Sequence, residues 1–169
     1  MKIPYSFRFV LLSAAIYIFI NLTVYFTHHQ FSGIGAYSRL ISLALLGIPL
    51  FAHIKHKRDL ELGGFISLRQ VMVAGVALSL MTCSLIAVYT YIHFKFIDQE
   101  VISYWISEAK RSGLKEKKSP EEIQAAIVML TEFYSPFKQS TVVITGVLGT
   151  GTILSFIFST FLVRRLPEE

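Results

Sequence analysis

The sequence predicts an all-α polytopic membrane protein: four transmembrane helices, with an amphipathic helical hairpin inserted between the third and the fourth. Three observations predict it. The chain of 169 residues is 53% hydrophobic and only 16% charged, with a mean hydropathy of +0.57, where a soluble domain carries about 25% charged residues. Charge is absent from three long runs, residues 9–27, 70–94 and 139–163. The polar stretch before the last run repeats its apolar residues at helical spacing.

A helix rises about 1.5 Å per residue, so roughly 20 apolar residues cross a hydrocarbon core of about 30 Å. The first span is placed at about residues 7–27. Its start resembles a signal peptide, but the apolar part is too long and no small-x-small cleavage site follows, so it is expected to remain as a span. Asn21-Leu22-Thr23 matches a glycosylation sequon but falls in mid-span. The six-residue turn HHQFSG leads to a second span at about 34–54, which carries Arg39 near its start. So short a turn forces the two spans into an antiparallel pair. A charged connector, HIKHKRDLELGGFISLRQ (53–70), precedes the third span at about 70–96, and the fourth lies at about 138–163. The whole, residues 1–169, is expected to form a single membrane domain.

The insert, about 97–137, predicts two helices. Val101, Ile102, Trp105, Ile106 and Ala109 share one face of the first, and Gly113 is a plausible stop. The second opens with Ser119 as N-cap, Pro120 at the first position and Glu122 three residues after the cap, a capping box. Its apolar face is Ile123, Ala126, Ile127, Leu130 and Tyr134.

Four spans put both termini and the connector on one side. Each side holds eight Lys and Arg, but the acids divide four against seven, leaving the first side at +4 and the second at +1. The first side's charges also crowd the span ends. The positive-inside rule then places both termini in the cytoplasm. The connector's basic residues would hold it on an anionic leaflet, each worth about 1 kcal/mol. The net charge of +5 therefore points to membrane lipids and not to nucleic acid. One cysteine, Cys83, excludes an internal disulfide.

The connector and the insert resemble a known family. KHKRDLELGGFISLRQ has a basic run, then Arg58, Asp59, Glu61, Gly63, Gly64, Phe65 and Ser67. PEEI at 120–123 and FYSP at 133–136 bracket the second insert helix. Together these resemble the small bacterial inner-membrane family catalogued as domain of unknown function 4199. The resemblance spans nearly the whole chain. It implies a four-helix inner-membrane protein of Gram-negative bacteria, and it implies no activity.

Candidate chemistry is sparse. His28, His29 and His93 fall at the outer interface, and three imidazoles suit a metal such as zinc or copper if they converge. The bland alternative is interfacial histidines at helix ends. His53 and His56, at i, i+3, are a second metal candidate, opposed by the lysines around them. Arg39 either snorkels to the interface or meets an anion, Asp98 or Glu100. Ser13, Tyr17 and Asn21 form a polar row suited to packing against a neighbouring helix. The most regular signal is small residues four apart: Gly75, Ser79, Cys83 and Ala87 in the third span, and Gly151, Ser155 and Ser159, preceded by Gly146 and Gly149, in the fourth. Such rows let helix backbones approach closely. They serve either packing within the monomer or a face for a second copy or partner. Tyr104 and Trp105 mark a further contact surface. No cofactor motif and no catalytic constellation is found. A non-enzymatic scaffold or accessory subunit is the leading expectation, partnered by lipids and by itself or another membrane protein. The alternatives are a small oligomeric channel or carrier, and a lipid-modifying enzyme using His28, His29 or Glu100.

Overall fold

The computed structural model describes residues 4–164, apart from the side chains of Ile34 and Ala36. Lys2, Arg165, Glu168 and Glu169, which entered the charge comparison, lie outside the described residues. The helices are α1 (Tyr5–Phe26), α2 (Gly33–Leu45), α3 (Gly47–His56), α4 (Leu68–Ile92), α5 (Glu100–Lys115), α6 (Pro120–Phe133) and α7 (Pro136–Leu162). There is no strand among the described residues. Four segments are long and apolar enough to cross a membrane: Tyr5–Phe26, Tyr37–Glu61, Leu68–Ile97 and Pro136–Leu162. Their exposed faces carry Phe19, Leu40, Ile48, Phe156 and Phe161, an apolar surface that suits lipid and not water.

The chain divides into two compact units. One holds the residues up to Ile86 and those from Ile144 onward; the other is Ala87–Val143. In the first, Val10, Leu50, Ile54, Ile66, Val71, Ala74, Leu78 and Leu162 form the core.

α1 ends in a Schellman motif. The His28 N–H donates to the Tyr25 carbonyl and the His29 N–H to that of Val24, both at 3.0 Å, with His28 left-handed at φ 56°. This is the usual way to satisfy the last carbonyls of a helix. The second span is longer than the hydropathy pattern places it and is not straight. α2 breaks at Leu46 because Pro49, in the first turn of α3, has no N–H for the Leu45 carbonyl. α3 then runs on through a π-helical turn, Lys57–Glu61.

The connector is a set of terminations. Arg58 is buried and its Nε donates to Asp59 at 2.6 Å. Gly63 and Gly64 follow at φ 64° and 92°, and the Gly64 N–H caps the Arg58 carbonyl at 2.8 Å. Ile66 then exchanges two backbone hydrogen bonds of 3.1 Å with Arg164, tying the end of α7 to the start of α4. Ser67 begins α4 as a capping pair with Gln70, whose side-chain oxygen accepts from the Ser67 N–H at 2.8 Å.

In the second unit α5 and α6 meet antiparallel, Gly113 beside Ile123 and Trp105 beside Tyr134. Gly113 is not the terminator that the sequence suggested. α5 continues to Lys115, and Lys117, at φ 54°, provides the left-handed cap. Gly113 is small because a Cβ there would lie 2.6 Å from the Ile123 side chain. The expected capping box of α6 is present, with the Ser119 N–H bonded to Glu122 at 2.8 Å.

Two outcomes follow. Gly64→Ala forces an L-residue to φ 92° and should destabilise the chain by about 1–2 kcal/mol, read as a lowered thermal midpoint in detergent. The Ser119 N–H, with the hydroxyl, holds the Glu122 carboxyl below its ordinary value. A carboxyl with a depressed folded pKa contributes stability above the unfolded carboxylate range and loses it as pH falls through the folded value. The hydrogen-exchange protection factors of the first turn of α6, with the intrinsic pH dependence divided out, should therefore fall in acid. In Ser119→Ala they should be about fivefold lower already at neutral pH, with a smaller further change in acid.

Candidate functional site

The regular small-residue rows of α4 and α7 interlock in the first unit. A Cβ built on Gly75 would lie 1.8 Å from Ser155 Oγ, and one on Gly151 would lie 1.9 Å from Ser79 Oγ. Each glycine thus receives the serine of the opposite helix. Each serine hydroxyl turns back and donates to the glycine carbonyl four residues earlier on its own helix, Ser79 to Gly75 at 2.8 Å and Ser155 to Gly151 at 2.6 Å. The pattern Gly-x-x-x-Ser on both helices supplies close approach and leaves no hydroxyl proton stranded in an apolar interior. Of the two readings left open by the sequence, packing within the monomer accounts for Gly75, Ser79, Gly151 and Ser155.

The other small residues behave differently. Cys83 is buried and its thiol faces the Leu80 carbonyl at 3.1 Å, while Ser159 is buried and bonds to Phe156. Gly146 meets only Leu43, and Gly149 has open space around it. Beside the interlock, Ser13, Ser79, Thr82 and Gly151 border a cavity of about 20 Å³, room for about one water molecule. Of the polar row on α1, Ser13 and Asn21 donate within their own helix, to the carbonyls of Phe9 and Tyr17.

The second unit contains the most chemically distinctive cluster. His93 and Asp98 are both buried. The His93 ring sits between two polar groups: Tyr89 Oη lies 3.2 Å from Nδ1 and Asp98 Oδ2 lies 4.0 Å from Nε2. Residues five apart point in different directions on an α-helix, so regular helical spacing offers no reason to pair them. A π-helical turn, His93–Ile97, brings them together by closing an i+5 hydrogen bond, Asp98 N–H to the His93 carbonyl at 2.8 Å. π-turns recur at functional sites. A phenol, an imidazole and a carboxylate in this order can hold or pass a proton. Ala87 accepts from Ser140 Oγ at 3.1 Å in the same unit.

His28 and His29 are exposed where α1 ends. Among the described residues, no three His, Cys, Asp or Glu side chains are grouped as a metal site requires. His53 is buried with its ring 5.5 Å from that of Phe9, and His56 stacks on Tyr5 at 3.6 Å. Arg39 is exposed in the first turn of its span and Glu100 is exposed at the start of α5. Trp105 is half-buried, stacked on Tyr134 at 5.8 Å, and Tyr104 packs edge-on against Trp105.

The interlock makes a reciprocal prediction. Gly75→Ala should cost about 1–3 kcal/mol by overpacking, seen as a lower thermal midpoint. Adding Ser155→Gly should restore most of the loss, because it removes the atoms that the new methyl group meets. An unchanged midpoint in Gly75→Ala would contradict the contact.

Comparison with curated proteins and with solved structures returns no match. The family comparison does match: the family described as "Protein of unknown function (DUF4199)" covers residues 6–164. That is nearly the whole chain, and it includes the connector, the interlocked helices and the His93 cluster, so the chain belongs to this family.

Proposed function

We propose that the protein is a non-enzymatic accessory or scaffold subunit of the bacterial inner membrane, with both termini on the cytoplasmic side. It works by holding an apolar helix of another membrane protein against α6. One observation carries this reading: α6 half-buries Ile123, Ile127 and Leu130 but leaves Val128 58% and Met129 72% exposed. The helix has 14 residues, about 21 Å, too short to cross a bilayer, so a membrane span does not explain its bare apolar face. α6 ends at Phe133 and α7 starts at Pro136, which keeps that face close to the end of a membrane-length helix. Exposed apolar surface tethered there suits a protein contact. The consumption of Gly75, Ser79, Gly151 and Ser155 within the monomer moves the contact away from the α4 and α7 rows. Lipids are the remaining partners, and neither nucleic acid nor a cofactor has a place in this reading.

The second reading, a small oligomeric channel or carrier, is favoured by the cluster of buried His93 and Asp98 with half-buried Tyr89. Ionisable groups buried near the end of a span are the usual marks of an ion or proton path.

Purification at native expression level in mild detergent, with mass and co-purifying proteins read by mass spectrometry, separates the two. The accessory reading expects a stoichiometric membrane protein partner that is lost from Val128→Asn/Met129→Asn while helix content is kept. A partner-free homo-oligomer would overturn it. Attention would then pass to His93→Ala and Arg39→Ala, which the carrier reading expects to abolish flux in reconstituted vesicles.

A further inference from the structure

We propose that the groove between Lys57 and Arg69 binds the phosphate of an anionic glycerophospholipid. Lys57, Ser67, Arg69, Gln70 and Val73 line a groove of about 440 Å³, within the range of about 300–1,000 Å³ typical of ligand sites. Its chemistry is one-sided. No lining residue is acidic, and among the described residues neither Lys57 nor Arg69 pairs with a carboxylate. The nearby Asp59 is engaged by Arg58 at 2.6 Å.

Gln70 adds to the same polarity. Its side-chain oxygen accepts from both the Ser67 N–H and the Ser67 hydroxyl, at 2.8 and 2.9 Å. A backbone N–H can only donate, so the atom facing it is the oxygen, and the other end of the carboxamide is its NH₂. The groove therefore offers an ammonium, a guanidinium and an amide donor pair, a set that selects an anion with several acceptor oxygens.

Two features choose a lipid phosphate over a soluble one. Lys57 lies in the last turns of the membrane-length segment Tyr37–Glu61, and Arg69 is the second residue of Leu68–Ile97. The groove thus opens where two spans leave the bilayer, at headgroup depth. Its wall then turns apolar at Val73, one turn into the span and 60% exposed, and Leu68, the first residue of the same helix, is exposed as well. A phosphate that carries an acyl chain satisfies both ends. The inference rests on the membrane placement of these helices and is independent of the partner proposed for α6.

The test uses the full chain in mild detergent, with bound lipid counted by native mass spectrometry during titration with phosphatidylglycerol or phosphatidylcholine. We expect preferential retention of phosphatidylglycerol. Lys57→Gln/Arg69→Gln should weaken it about tenfold or more, and Arg69→Gln alone, at an exposed position, should give an intermediate loss. Lys115→Gln/Lys117→Gln on the α5–α6 pair should leave it unchanged, and millimolar inorganic phosphate should not displace it. Equal retention of the two lipids by the wild type, no effect of the groove substitutions, or an equal effect of the α5–α6 substitutions would each overturn the site. Displacement by inorganic phosphate would overturn the lipid assignment in favour of a soluble anion.

Discussion

The first unit depends on the reciprocal seating of serine on glycine between α4 and α7. In water, apolar burial would press the helices together. In lipid that drive is absent, because the tails outside are as apolar as the side chains inside. What remains is dispersion over closely approaching surfaces and the penalty for any polar group left unbonded. Gly75 opposite Ser155 and Gly151 opposite Ser79 serve both terms at once. The backbones come near enough for extensive contact, and the hydroxyls lie over the gaps while bonding to their own helices. The arrangement also sets register, since sliding either helix would seat a serine against a full side chain.

Much of this architecture was legible in the sequence. The charge-free runs located the membrane-length helices, and Ser119, Pro120 and Glu122 marked the start of α6 to the residue. The four-residue spacing of Gly75, Ser79, Gly151 and Ser155 announced close packing but not its pairing, because a row on one helix does not say which row it meets. Other features left no periodic trace. The break at Leu46 depends on one proline inside an apolar run, which hydropathy alone passes over. The pairing of His93 with Asp98 needs a five-residue turn, and reasoning by three- and four-residue spacing cannot see it. Gly113 has the residue type of a helix stop and the duty of a helix contact, two roles that the same missing Cβ fills.

The concentration of charge between α3 and α4 has a structural answer. Two membrane-length helices must stop, reverse and restart within a few residues, and each stop leaves carbonyls or N–H groups to satisfy. Gly63 and Gly64 supply the reversal, Ser67 and Gln70 the restart, and Arg58 is drawn under the turn with Asp59 as its counter-charge. Lys57 and Arg69 are not needed for any of these tasks, which is why their common place on one groove stands out.

The clasp between Ile66 and Arg164 is made of main-chain atoms alone. The identity of the side chain at 164 is therefore free to answer to the charge balance of its surroundings, and a wide range of residues there would keep the two backbone bonds. Proline is the exception at both positions, since it lacks the N–H that each segment donates. A clasp of this kind also makes the end of α7 structurally adjacent to the start of α4 however the intervening residues vary. Insertions or deletions in the α5–α6 region would then change what the protein meets without loosening the joint that closes its first unit.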